Sequence, residues 1–203
     1  MLMLDVLGAF DNVSHERLLH NMRKRGLPLE IINWTASYLT GRKTKIKLYE
    51  GMSTEFDVLT GIPQGSPLSP IFYLFYNADL LEIAKGSDLV TGYIDDTSFL
   101  VEGLTIEDTV RQLEVLHAKA NEWAERHASV FAPAKYELIH FIYKGDRKRF
   151  RDKERAVDLG PRDGVERVVE PKQHARYLGV ILDSELNGMK YMEHVKERVE
   201  KSI

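Results

Sequence analysis

YIDDTSFLV, residues 93–101, sets two adjacent carboxylates, Asp95 and Asp96, inside a run of β-branched and aromatic residues that otherwise reads as buried strand. Each carboxylate disfavours ionisation of the other, and both resist leaving water. Neighbouring residues on a strand point to opposite faces, so an Asp pair that acts together must lie at a turn, where both side chains reach one region of space. With DLVTG (88–92) just upstream, the stretch reads as two short strands with the acids near their junction. A plainer reading stands beside this one: Asp is common in hairpin turns, and a turn needs no metal.

Outward from this hairpin, strands and helices interleave. The apolar run 1–6 reads as a short buried strand ending at Asp5 and Gly8. Ser14 caps a helix with Leu18, Leu19 and Met22 at helical spacing, closed by Gly26 and Pro28, and a second helix runs from Pro28 to about Leu39. TKIKLYE (44–50) alternates as a half-exposed strand with STEFDVLT (53–60) as its partner and Gly51 at the turn. A buried helix is expected over 71–83, another from Thr105 to His127, a strand over 137–143, a strand or hairpin over 175–183, and a charged helix from Lys190. Trp34 and Trp123 both fall at helical spacing with apolar neighbours and are expected in the core. The hairpin-like pairs favour an α+β fold with an antiparallel sheet packed on helices.

Composition bounds the function classes. The 203 residues suffice for one well-filled core, and no apolar run approaches the roughly eighteen residues of a membrane span. The opening MLML has no basic segment before it and no small-residue cleavage site after it, so no signal peptide is read there. Without cysteine there is no disulfide or thiolate site, which fits a reducing, intracellular location in cytoplasm or nucleus. The net charge of −3 argues against binding nucleic acid by bulk positive charge, but the charge is uneven. KGDRKRFRDKER (144–155) carries seven basic residues against three acidic, and RKTKIK (42–47) adds four positives, each either a solvated face or a nucleic-acid contact.

Two carboxylates held together need a cation, and hard oxygen ligands with neither Cys nor His beside them suit Mg²⁺ or Mn²⁺. Asp5 is the candidate third acid, since it ends an apolar run as an acid does when a core strand delivers it to an exposed rim. Asp11 is its rival, with a turn or cap role beside Asn12 as the simpler reading. Two ions bridged about 4 Å apart by shared carboxylates form the clamp used for in-line displacement at phosphorus. In TGIPQGSPLSP (60–70), Gly61 and Gly65 permit close backbone approach while Pro63 and Pro67 stiffen the loop around Gln64, either to support a ligand or simply to enter a helix. None of the seven histidines is assigned to metal.

Read in order, LDVLGAFDNV (4–13), TGIPQGSPLSP, GYIDDTSFLV (92–101), FAPAKYELIHF (131–141) and RYLGVILD (176–183) resemble the successive palm motifs of reverse transcriptases of non-LTR, LINE-like retrotransposons. The resemblance implies an RNA-directed DNA polymerase palm extending a DNA primer 3′-hydroxyl on an RNA template with dNTPs and two Mg²⁺ or Mn²⁺ ions. It implies that Asp5, Asp95 and Asp96 are the metal-binding, catalytic acids. Phe10 then sits under the incoming sugar and rejects a 2′-hydroxyl, Gln64 and Gly65 support the nucleotide and template base, and Lys135 is a proton donor to pyrophosphate. Tyr177, Leu178 and Gly179 match the primer grip.

Leu7 departs from the family, which often has lysine there. With four residues ahead of Asp5, the expectation is a palm over 1–172 lacking its fingers, then a primer-grip hairpin and the start of a thumb over 173–203. Endonuclease and ribonuclease H segments belong to the rest of a longer polyprotein, and little polymerase activity is expected of the isolated chain. The rival from another class is a non-catalytic remnant or nucleic-acid-binding fragment of a decayed element. A third reading, a metal-dependent nuclease or cyclase on a similar palm, has no use for the primer-grip stretch.

Overall fold

The computed structural model describes residues 1–49, 51–86, 88–142, 145, 155–161 and 167–201. In chain order the elements are β1 (Leu2–Leu4), β2 (Val6–Leu7), α1 (His15–Lys24), α2 (Leu29–Leu39), β3 (Lys43–Thr44), β4 (Lys47–Leu48), β5 (Gly51–Met52), β6 (Phe56–Asp57), α3 (Ser69–Leu81), β7 (Leu89–Tyr93) and β8 (Asp96–Leu100). They continue with α4 (Ile106–Arg126), β9 (Val130–Phe131), a 3₁₀ turn (Pro133–Lys135), β10 (Glu137–Leu138), β11 (Val157–Asp158), β12 (Val168–Val169), β13 (His174–Tyr177), β14 (Val180–Asp183) and α5 (Met189–Glu200). This is the expected α+β architecture, with antiparallel strand pairs throughout the ladders. Of the basic stretch 144–155, only Gly145 and Arg155 are described, so its reading as a nucleic-acid contact lies outside the described residues. No helix among the described residues is long and apolar enough to cross a membrane.

The chain forms two compact units that alternate along the sequence. The first comprises Met1–Asp5, Leu81–Glu122 and Phe131–Ile203. Its centre is a four-stranded sheet in the order β10-β1-β8-β7. All three residues of β1 are buried, because the strand is flanked on both edges and covered on both faces. In β8, Thr97, Ser98 and Phe99 are buried while Asp96 and Leu100 at its ends are exposed.

The strand expected over 137–143 is shorter than its apolar composition suggests. Past β10 the Ile139 N–H still donates to the Met1 carbonyl at 3.0 Å, and from His140, whose Nε2 lies 2.8 Å from the Arg155 carbonyl, the chain turns to other partners. Helix α4 begins where the sequence places it: Thr105 Oγ1 accepts the Asp108 N–H at 3.1 Å, and Ile106, Val110, Leu113, Leu116 and Ala120 are buried at helical spacing.

The hairpin β13–β14 leads to α5 through a loop ordered by Asp183. Burial pushes the Asp183 carboxyl upward, but the N–H groups of Asn187, Gly188 and Glu185 hold its pKa below the usual carboxylate range.

The second unit comprises Val6–Leu80 and Trp123–Val130. Ser14 caps α1 as expected, accepting the Arg17 N–H at 3.3 Å, and Pro28 precedes α2. Lys24 and Arg25 at the end of α1 each place a nitrogen 2.9 Å from Asp79 of α3, tying the two helices together. Asn21 is 1% exposed and donates to the Phe75 and Tyr76 carbonyls at 3.2 and 3.0 Å, joining the same pair of helices inside the core.

Three expectations need correction here. Trp123 is buried, but Trp34 is 50% exposed: α2 buries Ile32, Thr35 and Leu39, which leaves residue 34 on another face, stacked on Tyr38 at 5.4 Å. The strand pair after α2 is broken into β3 with β6 and β4 with β5, and it is exposed on both faces, Ile46 and Leu48 as much as the lysines. Gly51 is the first residue of β5, paired with Leu48, rather than the turn itself.

Candidate active site

In the first unit, sheet register brings the sequence-distant acids to one edge. Leu2 pairs with Phe99, Met3 with Ser98 and Leu4 with Thr97; the paired register ends there, with Asp5 next after Leu4 and Asp96 just before Thr97 at the same end of the two strands. On the other side of β8, Asp96 pairs with Tyr93, leaving Ile94 and Asp95 as a two-residue turn. Ile94 adopts φ 58°, a left-handed conformation that a β-branched residue rarely takes. Asp95 and Asp96 are both exposed, at the point where the strand run is interrupted. Desolvation, then the charge of Asp95, then that of Asp5, raise the pKa of Asp96 above the usual carboxylate range.

Asp5 has a different neighbour. Lys135 Nζ lies 3.1 Å from Asp5 Oδ2, with the lysine side chain 62% and the aspartate 36% exposed. The pair is built from the backbone: the Ala132 N–H donates to the Asp5 carbonyl at 3.0 Å, and the 3₁₀ turn closes with the Lys135 N–H on the Ala132 carbonyl at 2.9 Å. Among the described residues no three His, Asp or Glu side chains are gathered closely enough to hold a metal ion. The donor chemistry nonetheless fits hard divalent cations: carboxylate oxygens alone, mutually repelling at Asp96, with an ammonium at Asp5 where an ion would supply positive charge.

The hairpin β13–β14 anchors to the same sheet. The Tyr177 hydroxyl lies 3.0 Å from Thr91 Oγ1 and 3.5 Å from Ser98 Oγ, while Tyr177 packs on Met3, Ile139 and Ala175. Tyr177 pairs with Val180, which leaves Leu178 at φ 47° and Gly179 at φ 85° as the two-residue tip, Leu178 exposed. Of the three residues expected to grip a primer, Tyr177 therefore faces the sheet and the other two form the exposed turn.

In the second unit, the loop 60–65 lies directly on the segment 10–13. The Gly61 N–H donates to the Val13 carbonyl and the Ile62 N–H to the Phe10 carbonyl, both at 2.8 Å. Gly61, at φ 82°, has no room for a side chain: a Cβ there meets the Asp11 carbonyl oxygen at 2.7 Å. Gln64 Nε2 donates to Asp11 Oδ1 at 3.1 Å, so the rival acid has a partner on the loop. The half-buried Phe10 ring packs 5.6 Å from Tyr73, and Gly65 faces open space at φ 88°.

Sequence reasoning named the acids, Phe10, Gln64, Lys135 and Tyr177 but missed several of their pairings. Nothing local links Lys135 to Asp5, Tyr177 to Thr91, or His15, whose Nε2 lies 2.7 Å from the Gly61 carbonyl, to the glycine loop. Asp5, Gly61, Lys135 and Tyr177 were marked by their place within motifs, whereas Thr91 and His15 lie just outside them.

Residues 1–182 match the family model described as reverse transcriptase (RNA-dependent DNA polymerase). The chain is 28% identical over its full length to a probable RNA-directed DNA polymerase from transposon X-element of Drosophila melanogaster, and 25% identical over 96% of its length to the RNA-directed DNA polymerase from mobile element jockey of the same fly. It spans 21% and 20% of those relatives' lengths. Among solved structures, it is similar to a telomerase from Candida tropicalis with TM-score 0.57 at 14% identity, covering 94% of this chain and 30% of that one. A telomerase from Candida albicans matches with TM-score 0.56 at 14% identity, covering 91% and 30%. These likenesses establish the polymerase palm type of fold, and the family match runs from the segment bearing Asp5 through the hairpin tip at Leu178 and Gly179. The chain belongs to the reverse transcriptase (RNA-dependent DNA polymerase) family.

Proposed function

We propose that this chain forms the palm of an RNA-directed DNA polymerase of the non-LTR retrotransposon type, with Asp5, Asp95 and Asp96 as its metal-binding acids. One observation supports the reading: the β1–β8 register ends at Leu4 and Thr97, so Asp5 and Asp96 follow at the same end of the two strands, next to the turn that contains Asp95. Asp5 just past β1, Asp95 in the turn and Asp96 at the start of β8 then serve one end of the sheet, which gives a charge-stabilising site a rigid scaffold.

The cofactor in this reading is a pair of Mg²⁺ or Mn²⁺ ions held by those carboxylates. When bound, the ions supply activation of a primer hydroxyl and charge neutralisation on pyrophosphate. The chain's own residues orient the partners, which are RNA template, DNA primer and dNTPs. Phe10, backed by Tyr73, supplies an apolar wall that excludes a 2′-hydroxyl, which favours deoxynucleotides. Gln64 and Gly65 support the nucleotide from a loop pinned at Gly61, and Lys135 offers an ammonium to the leaving phosphates. Leu178 and Gly179 present an exposed tip to the primer end, with Tyr177 fixing that tip to the sheet. The palm spans 1–172, with the primer-grip hairpin and the first thumb helix in 173–203.

The test is Mn²⁺ binding to the purified 203-residue chain, read by electron paramagnetic resonance or calorimetry, beside the Asp95→Asn/Asp96→Asn double variant. The variant is expected to lose most of the binding. Equal binding by both proteins would sink the assignment.

A further inference from the structure

We propose that Lys135 is a resident stand-in cation for Asp5, whose ammonium must leave the carboxylate before a divalent ion is taken up, so that metal binding and release of Lys135 are one coupled event. This deepens the metal-site reading above and rests on it.

The geometry is specific. Lys135 Nζ is 3.1 Å from Asp5 Oδ2, and the contact joins residues 130 apart in sequence. The backbone holds it in place at both ends: Asp5 accepts the Ala132 N–H through its own carbonyl, and the 3₁₀ turn fixes Lys135 three residues later. Much of the cost of bringing the two side chains together is therefore met by main-chain hydrogen bonds that remain when the ammonium moves away. Lysine suits such a role better than arginine, since its charge is compact, well hydrated and carried on a flexible stem.

The edge also calls for positive charge. Asp95 and Asp96 lie at the same end of the sheet as Asp5, so the Lys135 ammonium offsets part of a local concentration of negative charge. A divalent ion that engages Asp5 supplies that charge itself and competes for the same oxygen. By linkage, metal weakens the Lys135–Asp5 contact by the factor with which that contact weakens metal binding. Because the pair is largely exposed, the factor is modest, about two- to fivefold. By the same modest factor, an ion on Asp5 raises the share of Lys135 ammonium that is free to meet a phosphate oxygen.

The experiment uses the full 203-residue chain and Mn²⁺ as probe. Lys135→Gln is expected to bind Mn²⁺ about two- to fivefold more tightly than wild type, and Lys135→Arg to stay near wild type. In parallel, the Lys135 Hε–Cε NMR resonance is followed without metal, with saturating Mg²⁺, and in metal-free Asp5→Asn. The metal-free wild type is expected to differ from the other two, and those two to agree. Unchanged or weaker Mn²⁺ binding by Lys135→Gln, or a Lys135 resonance that is the same in all three states, overturns the proposal while leaving the metal site intact. Failure of the wild type to bind Mn²⁺ at all overturns the site reading and this proposal with it.

Discussion

The Tyr177 hydroxyl lies 3.0 Å from Thr91 Oγ1, linking the hairpin after residue 173 to the strand that leads into the Asp95–Asp96 turn. Thr91 pairs with Ser98 across the ladder, and the two hydroxyls lie 2.7 Å apart, so three side chains lock the hairpin to the sheet two residues from Asp96. Tyr177→Phe removes one hydroxyl and leaves the Thr91–Ser98 contact. Urea unfolding is expected to show a loss of about 1 kcal/mol with no change in m-value. Leu178→Ala, at the exposed tip, is expected to be neutral within about 0.5 kcal/mol. A reversed order of the two variants would mean that the tip, not the tyrosine, anchors the hairpin.

The two glycines of the 60–70 loop are expected to differ sharply. Gly61→Ala must accommodate both φ 82° and a carbonyl oxygen 2.7 Å from the new carbon, with a second, from Phe10, at 3.0 Å. Gly65→Ala meets only the conformational cost at φ 88°, since nothing lies within 4 Å. Denaturant titration is expected to give about 2–4 kcal/mol for the first and about 1–2 kcal/mol for the second. Equal losses would show that the loop does not rest on segment 10–13 in solution.

Asp96 is a residue that stability alone would not select. Desolvation, Asp95 and Asp5 all oppose its ionisation, so its folded pKa stands above the unfolded value. The sign follows: ionised at neutral pH, it destabilises the metal-free fold, and this penalty fades as pH falls through the folded pKa. Asp96→Asn is therefore expected to raise the melting temperature of the metal-free chain at pH 7, and to do so less at pH 4. Like charges on facing strand positions cost on the order of 0.2–1 kcal/mol, which sets the scale. A lower melting temperature for Asp96→Asn at pH 7 rules the repulsion out. This is the direction in which a functional acid and stability are expected to trade against each other.

Much of this was legible because period and punctuation act locally. The Tyr93–Asp96 hairpin declares itself by two β-rich runs with acids between them, α1 by Ser14, and α4 by Thr105 with its buried stripe. What stayed hidden depends on neighbours far away in sequence. The apolar alternation of 44–48 is real, yet no element among the described residues covers Ile46 or Leu48, so a pattern that usually marks a buried face marks an exposed one. Trp34 satisfies helical spacing with several apolar residues, and only the packing of α2 decides which stripe is buried. In the site, the acids could be named from their positions at the ends of apolar runs, but the ion pair between Lys135 and Asp5 spans 130 residues and has no local signature.

His117 offers a pH test independent of the site. It sits in α4, 2% exposed, with Nε2 3.3 Å from the Tyr136 hydroxyl and Nδ1 3.3 Å from Asn121 Nδ2. Burial, reinforced by the charge of Arg167, lowers its pKa from 6.5 to about 4. The folded state thus binds the proton more weakly than the unfolded chain, so its stability relative to the unfolded chain is highest above the unfolded pKa and falls as pH drops from about 6.5 toward 4. The shift corresponds to about 3 kcal/mol at most. Carboxylates also titrate in this window, so the measurement is a difference: unfolding free energy of wild type minus that of His117→Gln, at pH 7.5, 5.5 and 4. That difference is expected to fall by about 2–3 kcal/mol across the series, most of it below pH 6.5. A flat difference would mean that His117 is protonated equally in both states, so that its burial against Tyr136 does not persist in solution.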